Sequence, residues 1–201
     1  METVQSPVML YTEQTPNPET LKFVTNKMLY RGTAEFRDDS LAAEWSELAS
    51  ALYAFPYVKG VYICNNFVTI TKEFNYAWED IMLQIKEFIK TWVTDGKPVI
   101  KDGFEAAMAE IAAKSQEGMF QGPEGETVKK IKDLIDQHVK PAVEMDGGNI
   151  EFKSFHNGVV TVVLQGACSG CPSSTITLKA GIEGMLKRMV PEVMEVVSEM
   201  G

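Results

Sequence analysis

The sequence predicts an α+β protein built from two small domains, and three observations carry that prediction. The 201 residues leave room for one domain or two small ones, at roughly 100–200 residues each. Of the 10 Phe, 6 Tyr and 3 Trp, only Phe152 and Phe155 lie beyond residue 123, so two cores of different composition are the simple reading. Between them, Gly118 to Glu126 packs three Gly and one Pro into nine residues without periodicity, which is linker composition. The expected organisation is a mixed α+β N-terminal domain over 1–100, a helical or flexible linker over 101–123, and a C-terminal domain over 124–201.

In the first half, Thr20 to Val24 and Met28 to Phe36 contain short β-type runs. Asp39 or Ser40 is placed to cap one helix whose apolar residues Leu41, Trp45, Leu48, Ala49 and Leu52 follow helical spacing until Pro56 forbids continuation. Val58 to Ile63 and Phe67 to Thr71 are rich in β-branched and aromatic residues, with Asn65-Asn66 suited to a tight turn between them. A second helix is expected from about Tyr76 to Val93, its stripe of Ile81, Ile85, Phe88, Ile89 and Trp92 facing a core. Phe104 to Ser115 is Ala-rich and reads as a third helix.

The second half predicts the order α-β-β-α-β. Thr127 precedes a helical pattern of Val128, Ile131, Leu134 and Ile135, which Pro141 is expected to end or kink. Asn149 to Phe155 and Val159 to Gln165 are β-type runs joined by His156-Asn157-Gly158, where Asn-Gly is a strong hairpin signal. A helix over Ser174 to Val190 and a strand over Val193 to Val197 complete a three-stranded sheet covered by two helices, expected to be antiparallel.

Composition excludes several function classes. With 45% hydrophobic and 23% charged residues, the chain has the balance of a globular protein and not of a disordered one. No run approaches the ~18 apolar residues of a membrane span. The net charge of -9 repels phosphate backbones and anionic bilayers, so neither nucleic acid nor membrane is expected as a partner. The opening Met-Glu-Thr-Val-Gln-Ser-Pro is neither basic nor apolar, and a cytoplasmic location is the expectation.

Chemistry concentrates in Gly166-Ala167-Cys168-Ser169-Gly170-Cys171-Pro172-Ser173-Ser174. Three cysteines, Cys64, Cys168 and Cys171, are too few and too odd a count for a disulfide framework. Cys168 and Cys171 are three positions apart, and Gly170 permits the sharp turn that brings both sulfurs to one ion. Ser173 or Ser174 is placed to cap the following helix, whose N-terminus favours thiolate. Four readings stand at this point: a thioredoxin-like redox pair, zinc, two thiols that only fill space on what looks like an exposed loop, and an iron–sulfur cluster. Zinc wants four protein ligands, and His138 and His156 lack finger spacing to the cysteines. A cluster is commonly held by four thiolates, which two copies of this loop across a two-fold axis supply.

Further strings extend the pattern: Pro141-Ala142-Val143, Asp146-Gly147-Gly148-Asn149-Ile150, Gly158-Val159-Val160, Leu164 through Ser174, Thr177-Leu178-Lys179, Gly181-Ile182-Glu183 and Pro191-Glu192-Val193. Together they resemble the NifU C-terminal (Nfu-type) domain over about 124–201. Thr15-Pro16-Asn17-Pro18 with Leu21-Lys22-Phe23, Gly60-Val61 and Phe67 through Lys72 resemble the Nfu N-terminal domain. The resemblance implies a non-enzymatic iron–sulfur cluster scaffold or carrier. It implies a 4Fe–4S cluster, with 2Fe–2S left open, bridged between two subunits of a homodimer by Cys168 and Cys171. The implied partners are apo iron–sulfur client proteins and upstream cluster assembly proteins. Cys64 reads as a buried small hydrophobe. Asp146 reads as the organiser of the Gly147-Gly148 turn, with Thr15-Pro16-Asn17-Pro18 a rigid turn whose alternative role is docking.

Overall fold

A computed structural model describes residues 6–116, 124–169 and 172–200. The chain divides after Phe104 into two compact units. Of the linker expected over 101–123, residues 117–123 lie outside the described residues, and the part before them is largely helical, over Phe104–Gln116. Among the described residues no helix is long and apolar enough to cross a membrane.

The first unit is a five-stranded sheet in the order β1-β2-β5-β4-β3 with every neighbouring pair antiparallel. Its strands are β1 (Leu10–Gln14), β2 (Thr20–Thr25), β3 (Tyr30–Phe36), β4 (Val58–Asn65) and β5 (Phe67–Lys72). The expected tight turn joins β4 to β5: Cys64 pairs with Phe67, and Asn65 takes the left-handed conformation at φ 48° that Asn tolerates. Helix α3 (Trp78–Thr94) buries Ile81, Ile85 and Ile89, with Phe88 and Trp92 half-buried beside them.

Two expectations fail in this unit for local reasons. The helix expected over Leu41 to Leu52 is two, α1 (Asp39–Trp45) and α2 (Glu47–Tyr53), broken at an extended Ser46. The Ser46 hydroxyl accepts from Ala49 N–H at 3.0 Å and donates to the Val99 carbonyl at 2.6 Å, so a side chain at a helical position competes with the ladder and wins. The cap of α1 is Asp38, one residue earlier than expected; its carboxylate accepts from the N–H groups of Ser40 and Leu41.

The second unit takes in α4 (Phe104–Gln116) from Glu105 on, then α5 (Glu124–Leu134), a π-helical turn over Ile135–Val139 and α6 (Lys140–Met145). Pro141 therefore neither ends nor breaks the helical run. Proline offers no N–H to the carbonyl four residues back and crowds it. The turn widens just before it, with Lys140 N–H bonding the Ile135 carbonyl, and Pro141 falls in the first turn of α6, where a missing N–H costs nothing. The widened turn also keeps Ile131, Ile135, Val139 and Val143 buried in one core.

Strands β6 (Gly148–His156) and β7 (Val159–Gly166) form the expected hairpin, with Asn157 at φ 49° and Gly158 at φ 81°, the two positive φ values of a type I′ turn. Helix α7 (Pro172–Met189) leads to β8 (Glu195–Met200), and the sheet order is β6-β7-β8. The expected antiparallel sheet is corrected here: β7 and β8 run parallel, Val160 beside Val196. A parallel neighbour requires a crossover connection, and α7 is that connection. Ile150, Val160, Val162 and Leu164 from the hairpin meet Ile182, Leu186 and Val196 in the core.

Candidate functional site

The loop after β7 is positioned by the two turns beside it. Gly148 pairs with Gly166 across the hairpin. Gly147 at φ 82° and Gly166 at φ 62° reverse the chain on either side, conformations that favour glycine. Ala167 N–H donates to the Gly147 carbonyl at 3.2 Å, and Ser169 N–H donates to the Gly166 carbonyl at 3.1 Å. The Asp146-Gly147 turn is thereby tied to the first residues of the loop. Asp146 serves the turn through its backbone N–H, which donates to the Ala142 carbonyl.

Cys168 is 5% exposed and belongs to the apolar core of this unit. The expectation of an exposed loop fails at this residue. The reason is the close approach of Gly148: a Cβ there would lie 2.9 Å from Cys168 Sγ and 2.7 Å from the Gln165 carbonyl oxygen. Without a side chain at 148, the loop settles onto the hairpin. Cys171 lies outside the described residues, as does Gly170. Helix α7 opens at Pro172, so Ser173 and Ser174 fall within its first turn and not at the capping position expected for them.

A polar contact that the sequence reading did not single out braces the same corner. Asn149 is fully buried. Its amide donates to Gln165 Oε1 at 2.8 Å and to Glu151 Oε1 at 3.1 Å, while its own Oδ1 has no hydrogen-bond partner among the described residues. Gln165 immediately precedes Gly166, so Asn149 fixes the strand end from which the cysteine loop departs. The signal was present in Asp146-Gly147-Gly148-Asn149, where a polar residue opens an otherwise apolar strand.

The remaining candidates sit apart from this corner. Cys64 is 1% exposed within β4 of the first unit, beside Val24, Tyr62 and Phe67. His138 and His156 are exposed, in the π turn and at the end of β6. Among the described residues no three His, Cys, Asp or Glu side chains gather as a metal site. On α7, Glu183 holds its carboxyl below the usual glutamate value, first through the hydrogen bond from Lys187 and then through the N–H of Val196. The Lys187 contact, at 2.6 Å, lies within α7, and the Val196 contact, at 3.0 Å, ties the helix that follows the loop to β8.

Comparison with known proteins gives this geometry its setting. Residues 131–197 match the model of the NifU-like domain, and residues 10–96 match that of the scaffold protein Nfu/NifU N terminal. NifU-like protein 5, mitochondrial, of Arabidopsis thaliana is 36% identical over 195 residues, covering 96% of this chain and 68% of that protein. The chain belongs to the NifU-like family. Another NifU-like relative, NifU-like protein 4, mitochondrial, of the same plant is 37% identical and covers 96% of this chain. The NFU1 iron-sulfur cluster scaffold homolog, mitochondrial, of Drosophila persimilis is 36% identical and covers 92% of it. The chain spans 66% and 63% of the length of these two relatives. A solution structure of a NifU-like protein from Saccharomyces cerevisiae aligns at a TM-score of 0.45 and 25% identity, over 51% of this chain and 92% of that one.

Proposed function

We propose that this protein is a non-catalytic iron–sulfur cluster scaffold and carrier. Its cargo, a 4Fe–4S cluster, is held by Cys168 and Cys171 of two copies of the chain and passed to apo iron–sulfur proteins. The observation that carries the reading is the Cys168 loop, tied by Ala167 to the Gly147 turn and followed at once by the N-terminus of α7, in a chain of this family. That helix end favours the anionic sulfur a ligand must present. Two thiolates leave a four-thiolate site half-made, and a second copy completes it through one isologous contact. Met145, just ahead of the Gly147 turn, and Ile176, one turn into α7, are 74% and 72% exposed. They supply apolar surface for that contact on either side of the loop. The reading places the protein in a reducing compartment, the cytoplasm, where thiols stay available; the relatives above carry mitochondrial names.

The experiment is anaerobic reconstitution of the full chain, with iron and sulfide analysis alongside sedimentation. The reading expects about one 4Fe–4S per two chains, in a dimer, and loss of both in Cys168→Ser and Cys171→Ser. A stable monomer holding a full cluster refutes the bridged site. One observation favours a second reading, a thiol–disulfide oxidoreductase: the strand, cysteine loop, helix and parallel strand β7-α7-β8 form the setting such redox pairs use. That reading expects metal-free protein that turns over a disulfide substrate.

A further inference from the structure

We propose that the first unit carries a docking groove for an extended, basic peptide segment, which pairs with the open edge of β1 and sets a lysine or arginine against Glu79. The proposal needs neither the cysteine loop nor a cluster.

The groove has a volume of about 490 Å³ and lies where β1 and the Thr15-Pro16-Asn17-Pro18 loop meet the first turns of α3; Thr12, Gln14, Pro16, Trp78, Glu79 and Met82 line it. Its rim is fixed before any ligand arrives. The hydroxyls of Thr15 and Thr20 share a hydrogen bond of 2.5 Å, Asn17 Oδ1 accepts from Glu19 N–H at 3.0 Å, and the Trp78 indole donates to the Pro18 carbonyl at 3.0 Å. Two prolines and three internal bonds leave little loop entropy to lose on binding. This is the work of the Thr-Pro-Asn-Pro motif, a rigid turn that also builds one wall of a groove.

The strand beside it is open. Among the described residues β1 pairs only with β2, so half of its backbone N–H and C=O groups face outward as a template for another strand. Natural edges usually carry lysine, proline or a bulge against such pairing. Leu10-Tyr11-Thr12-Glu13-Gln14 has no lysine and no proline, its register with β2 runs without a shift, and its single charge is already paired, Glu13 with Lys22 at 3.2 Å. Tyr11 is 53% exposed at this edge.

Charge selects the occupant. Glu79 and Asp80 are exposed in the first turn of α3 and have no ion-pair partner among the described residues. The helix terminus offsets only about half a charge, so the mouth of the groove stays negative. Lys22 is paired with Glu13, and Lys72, 5.8 Å from the centre of the Trp78 ring, brings one positive charge against the two carboxylates, so the balance at the mouth remains negative. An acidic strand is repelled here, and a neutral one gains nothing from the two carboxylates. Trp78, Glu79 and Met82 all lie on α3, and in an added strand only every second side chain faces that helix; a strand with apolar and basic residues two positions apart therefore sets its apolar side chains on Trp78 and Met82 and its cation against Glu79.

The test titrates the full, metal-free chain with a capped hexapeptide, Thr-Val-Thr-Lys-Thr-Val, whose valines and lysine share one face of the strand, and with a twin carrying glutamate in place of the lysine. Backbone amide shifts and amide exchange are followed by NMR. The proposal expects the lysine peptide to bind, to slow exchange of β1 amides, and to shift Trp78 and Thr12. The glutamate twin should leave all of these unchanged. Glu79→Lys, at an exposed position, should weaken binding about tenfold, while the melting temperature falls by no more than the few degrees that reversing one charge at a helix N-terminus costs. Binding of both peptides alike, binding that leaves β1 exchange untouched, or no binding of the lysine peptide each overturn it.

Discussion

Replacing Gly148 by alanine adds one methyl group at the most crowded backbone position around the cysteine loop. The added carbon would sit 2.7 Å from the Gln165 carbonyl oxygen, 2.9 Å from Cys168 Sγ and 3.1 Å from Cys168 N. Comfortable carbon contacts lie near about 3.5–4.0 Å, and two of these three neighbours are backbone, which cannot swing aside. Either the hairpin opens between Gly148 and Gly166, or the loop lifts off it. Overpacking of this kind costs about 1–3 kcal/mol. For a unit of this size each kcal/mol lowers Tm by about 4–8 °C, so Gly148→Ala should lower the transition of the second unit by about 10 °C. The displaced loop should also expose Cys168, and peptide-resolved alkylation should label that thiol faster than in the parent. Gly181→Ala is the control: its Cβ meets nothing within 4 Å on α7, and the same substitution there should stabilise by about 0.5–1 kcal/mol. If Gly148→Ala melts with the parent and Cys168 labels at an unchanged rate, the close approach does not hold the loop.

Three further outcomes are expected. Ser46→Ala removes the cap of α2 and the bond to the Val99 carbonyl in a fully buried site, and denaturant titration should show a loss of about 1–3 kcal/mol. Cys64→Ser should leave cluster content unchanged on reconstitution while lowering stability by about 1–3 kcal/mol, because a hydroxyl enters the apolar cluster of Val24, Tyr62 and Phe67. Glu183 is lowered from 4.5 in the fold, so the folded state holds its proton less tightly than the unfolded chain. Its contribution is present above pH 4.5 and disappears as pH falls through the lowered value. Melts of Glu183→Gln should therefore lose the part of the acid destabilisation that the parent shows below that pH.

Most elements and the pair of α+β units were legible because periodicity and turn chemistry agreed. Asn157-Gly158 fixed a hairpin, and Ile81, Ile85 and Ile89 repeated at helical spacing over one buried face. What escaped has physical causes. Strand β1 is an edge, half-exposed, and its Thr-Glu-Gln end lacks the apolar alternation that marks a strand with one wet face. Ser46 breaks a helix because a partner 53 residues away, Val99, takes its hydroxyl, and no local window contains that partner. Pro141 does not end the helical run, because a π turn ahead of it absorbs the missing donor. At the candidate site, the motif marked the cysteines and the turns, while the burial of Cys168 depends on Gly148, twenty positions earlier.

The parallel pairing of β7 and β8 sets an order of events in folding. The β6-β7 hairpin closes across a two-residue turn and involves neighbours in sequence, so it forms on the fast timescale of local contacts, about 1–10 μs for such units. The β7-β8 ladder joins Val159 to Glu195, 36 positions apart, and must wait for α7 to be laid down between them. The cysteine loop belongs to both stages: one end leaves the early hairpin, and the other enters the helix that only β8 locks through Glu183 and Val196. The contacts of the loop divide the same way: Ala167 with Gly147 and Cys168 against Gly148 are made at the hairpin, and the contact of Glu183 with Val196 is made at the crossover. Cys168 thus shares one core with Ile150 of the local hairpin and with Ile182 and Val196 of the non-local crossover, and its burial reports on both at once.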